Sequence, residues 1–174
     1  MDFSGRRFLL ILGIMIGILL VQSTLLYKFR PLGVRPDLIL ALVGSTALLN
    51  GWPQGLFWGA IGGLLEDLIT GSLPGSHALA KSTTGFVLGL LEGKVFKENM
   101  FLPVGALFMA CLAEGVIFFL ISGLVGELRW GFVTAVRMVT FPAAVVTAFF
   151  APAVYRLCEH IYEPPRFGQR GGSV

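Results

Sequence analysis

Charge is what this chain has least of. Asp, Glu, Lys and Arg make up 13% of its 174 residues, about half the share in a typical soluble domain. Hydrophobic residues make up 55%, and the mean hydropathy is +0.82. This balance excludes a soluble globular protein and defines an integral membrane protein, with room for five or six spans of about 20 residues and no separate soluble domain. Metal-binding side chains are equally scarce. The two cysteines, Cys111 and Cys158, lie in or at the end of apolar segments without metal-type spacing and read as small buried apolar residues. The two histidines, His77 and His160, fall near opposite sides of the expected bundle, so no zinc site can be assembled from them. Gly-x-Ser-x-Gly, phosphate-binding Gly-Lys-Ser/Thr and His-Glu-x-x-His are all missing, which argues against an enzyme. No cofactor is expected.

The net charge is +3 and the pI about 9.1, but the basic residues cluster at the ends of apolar segments. There they serve topology and anionic lipid headgroups, and nucleic acid is not an expected partner. Arg6-Arg7 before an apolar run resembles a signal peptide. The run is near 20 residues with no A-x-A site after it, so it is expected to remain as the first helix.

Six helices are expected, at about 8–27, 38–49, 54–70, 77–93, 100–124 and 131–155. The first carries Gly13 and Gly17 four residues apart, a spacing that lets another helix approach closely. The second is about 12 residues, short for a span, and is expected to cross with help from its flanks. Asp37 is placed to cap it. The third and fourth are glycine-striped, with Gly55, Gly59 and Gly63 on one and Gly85, Gly89 and Gly93 on the other. Every fourth residue shares a helix face, so the two are expected to pack closely against each other or against a partner.

The architecture expected is therefore an all-α, compact six-transmembrane-helix bundle over residues 1–158, with a polar, mobile tail over 159–174. Six crossings put both termini on one side, which holds Arg6, Arg7, Lys94, Lys97, Arg156, Arg166 and Arg170 against Lys28, Arg30, Arg35 and Arg129 opposite. The excess of positive charge places both termini in the cytoplasm.

Ionisable residues within spans are costly and point to function or to packing. Asp67 before the turn Gly71-Ser72-Leu73-Pro74-Gly75-Ser76 and Lys81 after it fall at similar shallow depth, and are expected to form a salt bridge that fixes the hairpin. Glu114 and Arg137 are expected to form a second pair. Glu66 and Asp67 point about 100° apart on a helix and cannot form a shared carboxylate dyad. His77 reads as a helix-start or interface residue, and Glu92 as part of a solvated end.

The order of features from Gly59 onward is Gly-x3-Gly, acid-acid-Leu-Ile, Thr-Gly-Ser, a Pro-Gly turn, His-Ala-Leu-Ala-Lys and a glycine-rich helix ending in Phe-Lys-Glu-Asn. With Gln-Ser-Thr-Leu and Arg35-Pro36-Asp37-Leu38 upstream, this resembles the rod shape-determining MreD family over about residues 8–100. The resemblance implies a bacterial inner-membrane protein of the cell-elongation machinery that binds MreC. It implies indirect work with MreB, RodA and a penicillin-binding transpeptidase in peptidoglycan synthesis. By carry-over, Asp67 is the family's acid before the turn, Gly71 and Gly75 its turn glycines, and Arg35, Pro36 and Asp37 its interface motif. Glu66 departs from the family, where an apolar residue is expected.

The expected partner surface is made by those residues together with Gly59, Gly63, Lys81, Gly85 and Gly89, and membrane lipids and a second copy of the chain are further expected neighbours. The family is also similar in architecture to the substrate-binding subunits of energy-coupling-factor transporters. The alternative function is accordingly a small-molecule-binding subunit of that type, which requires an outward cavity with convergent polar groups.

Overall fold

A computed structural model describes residues 5–28, 34–92, 101–126 and 131–162. The described residues are helical almost throughout, in six helices: α1 Gly5–Lys28, α2 Leu38–Asn50, α3 Trp52–Thr70, α4 Ser76–Gly89, α5 Phe101–Val125 and α6 Phe132–Tyr162. Three of them, α1, α5 and α6, are long and apolar enough to cross a membrane. The segments joining α1 to α2, α4 to α5 and α5 to α6, and residues 163–174, carry most of the basic residues counted for orientation and lie outside the described residues.

The bundle is built around α2. Its sequence is apolar on all sides, which requires neighbours on all sides, and Ile39 through Leu48 are all buried. It packs against each of the other five helices. Thirteen residues reach only about 20 Å, against about 30 Å of hydrocarbon, so any full crossing draws on the segments at its ends. Ser45 and Thr46 are buried in this helix and donate their hydroxyl protons to the carbonyls of Ala41 and Val43, at 2.6 and 2.8 Å. No polar side chain of α2 is therefore stranded in the core. Met15 of α1, Ile39, Leu42 and Val43 of α2 and Trp58 of α3 form the largest apolar cluster. The Trp58 indole donates to Gln54 Oε1 at 3.0 Å.

The glycine stripes of α3 and α4 face each other. A Cβ at Gly55 would strike the Gly85 carbonyl, at Gly59 the backbone of Lys81 and Ser82, at Gly63 the backbone of Ala78, and at Gly89 the backbone of Trp52. The two backbones therefore approach as closely as glycine allows. This corrects one part of the expected partner surface: Gly59, Gly63, Gly85 and Gly89 are buried inside the chain. The stripe on α1 is different, because a Cβ at Gly13 or Gly17 meets nothing within 4 Å.

Two ends differ from expectation. Helix α4 stops at Gly89, and Leu91 and Glu92 turn back with bonds to Leu88 and Gly89 at 3.0 and 3.3 Å, a tightened last turn that uses up the free carbonyls. Helix α6 continues to Tyr162, past the Tyr155 at which the sequence analysis ended it, with Tyr155 and Cys158 buried on its inner face. It also contains a π-helical turn at Val136–Thr140.

Candidate functional site

All polar chemistry of interest lies at one end of the bundle, where α3 ends and α2 and α4 begin. At the centre is Lys81, which sits one turn into α4 and is fully buried. Its ammonium hydrogen-bonds to Asp37 ahead of α2 and, at 2.5 Å, to Glu114 Oε1 of α5. Glu66 Oε2 of α3 lies 3.1 Å away. One side chain thus ties together the start of α2, the end of α3, the N-terminal part of α4 and the middle of α5. Such a group is stable only while its partners are in place, because an isolated buried charge costs several kcal/mol.

The expected pairs are both replaced. Lys81 meets Asp37, Glu66 and Glu114, and Asp67 lies elsewhere. Glu114 meets Lys81, whereas Arg137 lies on the exposed face of α6. The π turn that contains Arg137 has one extra residue per turn, so faces assigned from a regular helix are shifted there. Glu66, which the family resemblance left without a role, points into the same cluster.

Asp67 has a separate task. Its side chain is 1% exposed, and it accepts from the backbone N–H groups of Gly75 at 2.8 Å, His77 at 3.1 Å and Ala78 at 3.4 Å. The hydroxyls of Ser72 and Ser76 and His77 Nδ1 complete its shell at 2.9, 3.2 and 2.8 Å. The first turn of α4 has unsatisfied N–H donors and the positive end of the helix dipole, so a carboxylate there both caps the helix and closes the hairpin. Gly71 and Gly75 supply the left-handed backbone of that turn, with φ of +66° and +95°. Replacing Asp67 with alanine is expected to lower stability by roughly 2 to 3 kcal/mol, as charged hydrogen bonds are lost and N–H donors are left buried. A melting curve of the detergent-solubilised protein measures it, and an unchanged midpoint would contradict the capping role.

Arg35, Pro36 and Asp37 form a junction inside the bundle, with only Arg35 exposed. The Pro36 carbonyl accepts from Gln22 Nε2 of α1 at 2.6 Å, and the Asp37 N–H donates to Thr147 Oγ1 of α6 at 2.8 Å. Asp37 Oδ1 accepts from Leu40 N at 2.8 Å, the cap expected from sequence.

Beside the cluster lies a cavity of about 460 Å³. Asp37, Glu66 and Glu114 form one wall, Phe118 and Phe119 of α5 another, and Gln22, Arg35 and Val139 complete it. Among the described residues, no group of three or more His, Cys, Asp or Glu side chains is arranged to hold a metal ion.

Apolar helices of spanning length, packed around a buried polar knot, define a polytopic membrane protein. A family model described as rod shape-determining protein MreD matches residues 1–161, and the chain belongs to that family. It is therefore an integral inner-membrane protein with a role in determining rod shape. No curated protein and no solved structure matches it, so the likeness to energy-coupling-factor subunits rests on the sequence resemblance alone.

Proposed function

We propose that the protein is a non-enzymatic scaffold of the cell-elongation complex. It binds MreC and supports peptidoglycan synthesis together with MreB, RodA and a penicillin-binding transpeptidase. In this reading all six helices complete the membrane domain, both termini are cytoplasmic and the polar knot lies toward the outer face. The observation that carries it is the contrast between glycine stripes. Those of α3 and α4 are covered by each other, whereas Gly13 and Gly17 of α1 stand open on a face shared with the exposed Leu9, Ile16 and Leu20. A small-xxx-small stripe left open on an apolar helix suits a partner's transmembrane helix.

The expected result is that Gly17→Leu, which meets no steric obstacle within the chain, melts like wild type but retains several-fold less co-expressed MreC on purification. Undiminished retention would remove α1 from the interface. A loss of self-association with MreC still bound would assign the stripe to a second copy instead.

The alternative, a small-molecule-binding subunit of the energy-coupling-factor type, is favoured by the cavity beside Lys81. Mass spectrometry of the purified protein tests it, since a co-purifying vitamin-like molecule is expected only under that reading.

A further inference from the structure

The cavity beside Lys81 is charged in an unbalanced way. One ammonium faces three carboxylates, those of Asp37, Glu66 and Glu114. Its hydrogen bonds go to Asp37 and Glu114. Glu66 Oε2 lies near the ammonium but outside hydrogen-bonding geometry, and it is buried with no donor. An acceptor left without a donor at such a site attracts a positively charged one, because the surrounding low dielectric strengthens the interaction.

The rest of the cavity indicates what carries that donor. Phe118 lies one turn beyond Glu114 on α5, so an aromatic ring stands over the acidic wall. Ring faces attract ammonium groups, and a mostly apolar cavity suits a cation attached to hydrocarbon. Arg35 lies at the exposed rim, where it can meet an anion. The cavity is also reachable from the bilayer. Helix α1 packs on α2 and α3, and α6 on α2 and α5. The space therefore lies in the seam between α1 and the α5–α6 pair, and its lining includes the exposed Ile69 and Val139.

We infer that the cavity binds the headgroup of an amine-bearing zwitterionic phospholipid, with its ammonium on Glu66 and Glu114 under Phe118 and its phosphate on Arg35. The lipid would fill the charge deficit of the knot and brace α1 against α5 and α6. The inference rests on the cavity alone and is independent of MreC binding.

Native mass spectrometry of the purified full-length protein, supplied with equal amounts of phosphatidylethanolamine and phosphatidylglycerol, tests it. The wild type is expected to retain phosphatidylethanolamine about ten-fold over phosphatidylglycerol, the worth of one charged hydrogen bond. Glu66→Gln is expected to abolish that preference. Ala143→Phe, which narrows the cavity without touching a charge, is expected to reduce bound lipid of both kinds. Equal retention of the two lipids by wild type, or an unaltered preference in both variants, overturns the proposal. Full displacement by soluble phosphoethanolamine overturns the lipid as occupant, because a free amine would then satisfy the site.

Discussion

Lys81→Met is expected to be the most damaging single substitution in the chain. Methionine fits the volume but leaves Asp37, Glu66 and Glu114 without the cation that all three approach. Breaking a buried ion pair from one side costs about 3 to 5 kcal/mol, because the remaining charge is left uncompensated. Here three carboxylates on separate elements are released together. Their repulsion acts on the joints that hold the start of α2 and the middle of α5 to the α3–α4 hairpin. The expected readout is a protein that is degraded in cells, or that melts far below wild type once solubilised. Lys81→Arg is expected to rescue only in part, because a planar guanidinium needs more room than a fully buried ammonium leaves.

Gly63→Leu is expected to come next. A Cβ at this position would coincide with the backbone of Ala78, which cannot rotate away as a side chain can. The only relief is separation of α3 from α4, with loss of contact along the whole stripe and displacement of Lys81 from its partners. Overpacking costs typically 1 to 3 kcal/mol where side chains can adjust, and the loss here is expected to be about 3 kcal/mol or more. Gly17→Leu is the internal control, since the same change on α1 meets open space and is expected to shift the midpoint by less than about 0.5 kcal/mol. A comparable loss from both substitutions would mean that glycine content, rather than the α3–α4 contact, sets the sensitivity.

These two positions also mark what could be read from sequence. The four-residue glycine spacing specified faces and therefore the packing of α3 on α4, and the unbroken apolar character of α2 implied its burial. The Asp37 cap followed from an acid placed directly before an apolar run. The pairing of charges did not follow, for a geometric reason. Depth along straight, regular helices put Asp67 level with Lys81. What selects a partner is the side-chain direction around each helix, together with loops such as 34–37 that carry acids into the core. Asp67 was diverted by the free N–H groups at the start of α4, which lie closer to it than any ammonium. The Glu114–Arg137 pairing failed at a π turn that no spacing rule announces.

That reassignment bears on how the family fold works. The charges within the bundle act as joints between elements, and the surface features that remain open lie elsewhere, on α1 and at the rim of the cavity. A scaffold needs this arrangement, because rigid contacts inside allow fixed geometry outside.

The most direct test is to compare the melting midpoint of Lys81→Met with that of a variant that also carries Asp37→Asn, Glu66→Gln and Glu114→Gln. If the three carboxylates are held by one ammonium, neutralising them recovers most of the stability that the lysine substitution removed, since a balanced site without charge is tolerated where an unbalanced one is not. No recovery, or a Lys81→Met protein as stable as wild type, would contradict the central role given to this lysine.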